Sequence, residues 1–483
     1  MFDIRPVGYV IGLLVAALGV TMFAPLLADL MAGNGHWPVF LESAILTIMV
    51  GGLVALSCQN GVSQGLSLRQ TFLLTTSVWL ALPLFGSLPF MLGSSDLSFT
   101  DAFFEAMSGL TTTGSTVIIG LEYLPEGLKL WRGIMQWLGG IGIIVVAMVF
   151  LPELRLGGMQ IFRTEAFDTM GKILPRAAEI SSRISVIYVA MTLACALCFY
   201  TVGMNAFDAI VHAMTTVSTG GMANYDNSFG HFGAGPHYVA TVFMMLSALP
   251  FVRYVQLISG NGAKPLLVDS QVHAFFGVVF MLVLVLTVWL WRTFHGFSEL
   301  GFREALFNVV SIITGTGYAS ADYMQWGPFA VTMFFFIGLI GGCAGSTACS
   351  VKVFRYQLLF ASIKSQIRRI HSPHGIFTPR YQGRAVGDDV LNSVMAFFVV
   401  FMGAIGVVGV ALALTGLDFI TSISGAATAL ANVGPGLGTE IGPAGNFAGL
   451  NDAAKWILSI AMWVGRLEIM AVFTVLSLQF WRA

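Results

Sequence analysis

Charge is what this sequence has least of. Only 10% of its 483 residues are Asp, Glu, Lys or Arg, whereas a soluble globular chain carries about 25%. So little charge cannot cover the surface of a soluble protein of this size, and 56% of the residues are hydrophobic. The mean hydropathy of +0.83 agrees. The fold class that follows is an all-α polytopic membrane protein. Its net charge of −1 is uninformative about partners, because in a membrane protein the distribution of charge carries the signal rather than its sum.

Other absences narrow the function. The five cysteines all sit in or beside apolar runs. Cys195 and Cys198 have redox or zinc-knuckle spacing, but no His or second Cys pair lies near them, which leaves packing as their role. The eight histidines show no metal-ligand spacing, and no Ser/His/Asp set falls within the apolar runs. The glycine run from Gly434 to Gly438 follows no strand, and Gly260-Asn-Gly262-Ala-Lys264 lacks the spacing of a phosphate-binding loop. Nothing points to an enzyme, a bound cofactor or a nucleic-acid partner. The first apolar run, from about residue 7 to 30, is too long for the core of a cleavable signal.

What is present is length and repetition. A helix needs about 20 apolar residues to cross the hydrocarbon core. That criterion predicts ten spans, near 8–32, 38–58, 70–94, 131–151, 183–203, 237–259, 271–293, 328–350, 391–414 and 456–480. Four shorter apolar segments, at 99–110, 206–217, 302–313 and 419–430, interrupt this series. Each leads into a Gly/Thr-rich stretch: Thr111-Thr112-Thr113-Gly114-Ser115-Thr116, Ser218-Thr219-Gly220-Gly221-Met222, Ile313-Thr314-Gly315-Thr316-Gly317 and Asn432-Val433-Gly434-Pro435-Gly436. With Gly114, Gly220, Gly315 and Gly434 as anchors the stretches recur roughly every hundred residues, an internal repeat. The unit reads span, half-helix, loop, span. It predicts four covalently linked helix–pore-loop–helix repeats around one pore, at 67–180, 181–268, 269–388 and 389–483, behind an N-terminal two-helix hairpin at 1–66.

These stretches have the chemistry of a cation filter. A cation leaving water needs oxygen ligands at once, and extended backbone carbonyls supply them. Glycine permits the required backbone angles, a neighbouring Thr or Ser adds a hydroxyl, and each half-helix directs its negative C-terminal end inward. The expected potassium ligands are Thr112, Thr113 and Gly114; Ser218, Thr219 and Gly220; Ile313, Thr314 and Gly315; and Asn432, Val433 and Gly434. Irregular backbone at this depth is tolerated only around a wet cavity or inside protein.

Most of the 23 Lys and Arg residues fall on the side of the termini, with only Lys129, Arg132, Arg292, Arg303 and Lys455 on the other. The positive-inside rule then puts both termini and the basic 352–390 loop in the cytoplasm, and the four loops outside. That basic loop suits anionic lipid headgroups or an acidic protein. Acids such as Asp101, Glu105, Glu122, Asp208, Asp226 and Glu299 gather on the outer side, where they suit a cation-attracting vestibule or simple solvation. In the third unit Gly341-Gly342-Cys343-Ala344-Gly345-Ser346-Thr347 breaks a helix. It predicts an irregular, mobile gate beneath the loops, with close packing through small residues as the alternative. Arg466 lies about 15 Å into the last span. Such a residue usually faces a cavity, and Glu468 is badly placed to pair with it. It is expected to face the pore as a barrier to cations.

These motifs fall in the order found in the Trk/Ktr/HKT superfamily of cation transporters, and the chain resembles above all the membrane subunits of bacterial Trk potassium-uptake systems. The motifs T-T-T-G-S-T, S-T-G-G, I-T-G-T-G, N-V-G-P-G, G-G-C-A-G-S-T and G-R-L-E carry the resemblance, which covers essentially the whole chain. It implies a homodimer in the bacterial inner membrane with a potassium path through each protomer. It also implies a cytoplasmic TrkA-like nucleotide-binding regulatory subunit. Sodium-favouring relatives often carry serine at the first filter glycine, so Gly114 implies potassium. A symporter coupling potassium to protons or sodium is the alternative, although such transporters tend toward inverted repeats.

Overall fold

The computed structural model describes residues 3–61, 66–145, 177–294, 296, 298–467 and 469–482. Among the described residues, six helices are long and apolar enough to cross a membrane: Arg5–Ala32, Trp37–Cys58, Arg69–Leu92, Ser181–Thr201, Ser270–Thr293 and Asp388–Ala413. The first two form the hairpin, packed so closely that a Cβ on Gly12 would strike the Gly51 carbonyl. Small residues allow such approach where lipid provides no hydrophobic drive between helices.

Three anticipated crossings are not straight helices. Ala234–Ser247 and Phe251–Gly260 meet at 87°, and Asp452–Arg466 and Ile469–Leu476 at 106°. The first bend lies at Pro250, where a helix cannot continue undisturbed, and the Phe251 N–H freed there donates to Gly345 O at 2.9 Å. The third, expected over 328–350, is helical only in Pro328–Leu339. Residues 340–352 are irregular, and a helix resumes at Val353–His371. Of the span expected at 131–151, the helix Glu126–Val145 is described; the expected end at 146–151 and Glu468 lie outside the described residues.

The half-helices are Phe99–Leu110, Ala206–Val217, Glu299–Ile313 and Phe419–Ala431. They lie in the interior: every residue of 102–110 is buried, as is every residue of 424–431. Each starts at a side-chain cap, with Ser98, Asn205, Ser298 and Asp418 accepting backbone N–H groups of the first turn. Such caps satisfy donors that the helix leaves open. In the basic loop, Arg380–Tyr381 and Arg384–Ala385 form a two-stranded hairpin. Its turn residues Gln382 and Gly383 both have positive φ, as a tight hairpin requires.

Candidate functional site: a closed ring of four loops

Each half-helix hands over to its loop in the same way. The N–H groups of Thr112, Thr219, Gly315 and Asn432 reach back three residues to a helix carbonyl, and those of the next residues, Thr113, Gly220, Thr316 and Val433, reach back five. The backbone signs repeat as well. Thr112, Thr219, Gly315 and Asn432 have φ of 53°, 51°, 73° and 52°, and Gly114, Gly221, Gly317 and Gly434 have φ of 89°, 80°, 82° and 108°, while the residue between them in each loop has a negative φ. Alternation of this kind turns successive carbonyls toward one side of the chain. Asn tolerates a positive φ, but at Thr112 and Thr219 it stores about 1–3 kcal/mol each.

The structure therefore corrects the register. In the second loop the glycine equivalent to Gly114 is Gly221, not Gly220, and in the third it is Gly317, not Gly315. Ser218 and Thr314 match Thr111 at the end of the helix, and Ile313 lies in the last helical turn, buried. Gly221, Thr316 and Gly317 join the set. The signal was available: counted from the caps Ser98, Asn205 and Asp418, the residues Gly114, Gly221 and Gly434 fall at equal distances.

The reason for glycine at these four places is the neighbouring loop. A Cβ on Gly114 would strike the Gly220 carbonyl oxygen, one on Gly221 that of Thr316, one on Gly317 that of Val433, and one on Gly434 that of Thr113. The order runs first to second, second to third, third to fourth and fourth back to first. Four loops related in this cycle surround one axis. All four glycines line a single cavity that opens on the side from which the half-helices start.

Side chains lock the ring. Ser115 Oγ donates to Gly434 O at 2.8 Å, and Asn432 Nδ2 to Thr113 Oγ1 at 2.9 Å, tying the fourth loop to the first. Glu105, wholly buried, accepts from Arg132 Nε at 2.8 Å, from the Thr116 hydroxyl and from Val117 N–H. Arg132 also donates to Ala223 O at 2.7 Å, which binds the first loop to the second. A buried pair this well bonded is destabilising to break from one side, because the remaining charge is stranded.

At the other end of the ring lies the irregular segment. Cys349 N–H donates to Thr314 O at 3.2 Å and Ser350 N–H to Ala431 O at 2.9 Å. The Cys349 thiol lies 3.6 Å from Thr112 Oγ1 and accepts from Arg466 Nη1 at 2.9 Å. Arg466 Nη2 donates to Gly139 O at 3.3 Å. Arg466 is thus buried against this segment. The segment's far part is held by the bent second-repeat helix: Cys343 N–H donates to Ala248 O at 2.9 Å, and Thr347 Oγ1 to Ser247 O at 3.0 Å. Gly341, Gly342, Gly345, Ser346 and Thr347 all fall within it, as expected, with Gly345 at a φ of 70°.

Comparison with known proteins follows this geometry. A family described as TrkH, cation transport protein, matches residues 36–480. The chain belongs to the TrkH family. The Trk system potassium uptake protein TrkI of Halomonas elongata is 43% identical over 99% of this chain and 97% of its own length. The Trk system potassium uptake protein TrkH of Escherichia coli K12 is 35% identical over 99% of both chains. The crystal structure of the potassium transporter TrkH from Vibrio parahaemolyticus superposes with a TM-score of 0.90 at 34% identity, covering all of both chains. Membership in a family of cation transporters agrees with the membrane architecture and with a chain that is not an enzyme.

Within this TrkH-family chain, several residues singled out for their charge serve the fold. Asp208 donates its N–H to the cap Asn205, and its carboxylate accepts from Asn224 Nδ2 at 2.7 Å and from the Tyr225 hydroxyl. Asp226 accepts the N–H groups of Gly120 and Leu121. Asp101 pairs with Lys455 at 2.6 Å. Of these three acids, Asp226 lines the cavity over the ring. In the basic loop Arg355 is buried, its guanidinium 3.8 Å from the centre of the Phe397 ring, whereas Lys364, Arg368 and Arg369 are exposed.

Proposed function

We propose that this chain carries potassium across the membrane through the axis of the ring, as a channel-like pore with a four-loop selectivity filter. The single observation that carries this reading is the closed cycle of glycines against neighbouring carbonyls. It supports four extended segments held at fixed spacing around one path, which is what replacing a hydration shell demands. The names of the relatives, potassium uptake proteins, favour potassium as the ion. The filter comprises Thr112–Gly114, Thr219–Gly221, Gly315–Gly317 and Asn432–Gly434 in the corrected register.

The segment 340–352 acts as the gate, with Arg466 as an electrostatic barrier fastened to it through Cys349. In this arrangement both close the path directly under the filter. The termini are cytoplasmic and the loops external, following the positive residues. The repeats run at 67–180, 181–268, 269–388 and 389–483. The chain forms a homodimer, and a TrkA-like nucleotide-binding subunit docks on its cytoplasmic face, for which the exposed basic residues of Val353–His371 are suited.

Rubidium uptake into proteoliposomes with sodium as competitor tests the filter. Gly114→Ser, whose Cβ would press on the Gly220 carbonyl, is expected to reduce uptake and weaken the preference for rubidium. Unchanged uptake and unchanged sodium competition would remove Gly114 from the filter. Imposed proton or sodium gradients that drive rubidium against its own gradient would show symport in place of passive conduction.

A further inference from the structure

The four filter loops share one backbone plan, but at one level of the ring a single carbonyl among the four carries a side-chain hydrogen bond. At the level of Thr113, Gly220, Thr316 and Val433, the carbonyl of Gly220 accepts from Gln136 Nε2 at 2.6 Å. Among the described residues, the Thr113, Thr316 and Val433 carbonyls receive no such donor. The other end of the same amide, Gln136 Oε1, accepts the Met222 N–H at 3.0 Å. That N–H is a fixed donor, so it determines which way the amide faces. Gln136 is wholly buried.

The first and third loops brace themselves at this level. The Thr113 hydroxyl lies 2.7 Å from that of Thr111, and the Thr316 hydroxyl 2.8 Å from that of Thr314. The second loop has glycine there and no hydroxyl. A Cβ on Gly220 would fall within 2.7 Å of the Gln136 amide nitrogen. The glutamine occupies the room that the missing side chain leaves.

Resting on the filter reading above, we infer that Gln136 is a specificity-determining residue that lowers the field of one carbonyl in the ring. The positive end of the Gln136 N–H, set beside the Gly220 oxygen, offsets part of the negative field that this carbonyl presents to a cation. Weak-field oxygens discriminate against the smaller ion, which gives up more hydration energy on leaving water. The same bond, with its partner at Met222, fixes the second loop on both sides of Gly221 and prevents it from following a smaller ion inward. Both effects favour potassium over sodium. Gln136 acts through the Gly220 carbonyl and so positions and tunes a ligand.

The test is rubidium uptake by the full-length protein in proteoliposomes, with the inhibition constant for sodium measured alongside the maximal rate. Gln136→Met keeps the volume and removes both hydrogen bonds. The expected result is sodium inhibition strengthened by about three- to tenfold, the span of one hydrogen bond's net contribution. A residue needed only for packing would lower the maximal rate, through less active protein, and leave the sodium inhibition constant unchanged; that outcome overturns the inference. Gly220→Ala displaces the same amide from the other side and provides an independent variant if Gln136→Met fails to fold. It is expected to shift the sodium constant in the same direction, and no shift would count against the role. If Gly114→Ser alters sodium competition while neither of these does, the filter reading stands and the role of Gln136 falls. If none of the three alters it, the filter reading falls first.

Discussion

The ring and the segment beneath it share hydrogen bonds, yet they follow opposite plans. Four copies of one backbone pattern build the ring, and each loop is confined by the carbonyl of the next. The segment at 340–352 occurs in the third repeat alone and borrows partners from the rest of the chain: Ser247 and Ala248 in the second repeat, Ala431 and Arg466 in the fourth, Thr112 in the first. On the proposed reading of the ring as filter and the segment as gate, the contrast is a division of labour. A structure that must hold an ion at fixed distances gains from mutual confinement, since no loop moves without displacing its neighbour. A structure that must open gains from being single and held by dispersed hydrogen bonds, each worth about 1 kcal/mol.

The contrast breaks most directly at Gly317. Gly317→Ala forces a side chain into a positive φ and onto the Val433 carbonyl, and rubidium uptake should fall roughly a hundredfold from strain and overpacking together. Uptake near the native level would show that the loops do not confine one another. Next in size is Glu105→Ala, which strands the Arg132 guanidinium in the interior. Thermal unfolding in detergent should show a loss of about 3 kcal/mol; a change under 1 kcal/mol would show that the clamp between the first two loops is dispensable.

Arg466→Ala sharpens the other half of the comparison. It removes the charge and the bond to Cys349, and basal uptake should rise on the order of tenfold as a buried charge beside the path disappears. Unchanged flux would make Arg466 a packing residue. The smallest effect belongs to Ser298→Ala at the cap of the third half-helix. It should lower stability by about 1 kcal/mol and leave sodium competition as it was. A shift in competition would mean that the half-helix end on the far side also tunes the ring.

Much of this is legible in the sequence. Low charge and the apolar runs imply a membrane protein, since both report directly on the solvent. The half-helices at 99–110 and 206–217 were readable to the residue, because Ser98 and Asn205 mark their starts and Gly/Thr stretches mark their ends. For the third, the apolar pattern predicts 302–313, whereas its cap is Ser298 and it begins at Glu299; its first turn is polar and carries no apolar signal. The register of the second and third loops differs from the sequence expectation for a related reason. Gly220-Gly221 and Gly315-Thr316-Gly317 each offer two glycines, and sequence similarity does not distinguish a glycine needed for a hydrogen-bonded helix end from one needed for a neighbour's carbonyl.

The sequence by itself determined that the chain lives in lipid and that it repeats a short helix and a loop four times, and it marked Gly341–Gly345 as a weak place in a helix, which the structure shows to be irregular. Those properties are local: they depend on hydration, caps and backbone freedom within a few residues. The tertiary structure alone decided which glycine faces which carbonyl, that Glu105 and Arg132 fasten two loops, and that Arg466 meets Cys349. It also decided that Gln136 reaches Gly220. These are relations between segments far apart in the chain, and they exist only once the ring closes and brings four loops within van der Waals contact.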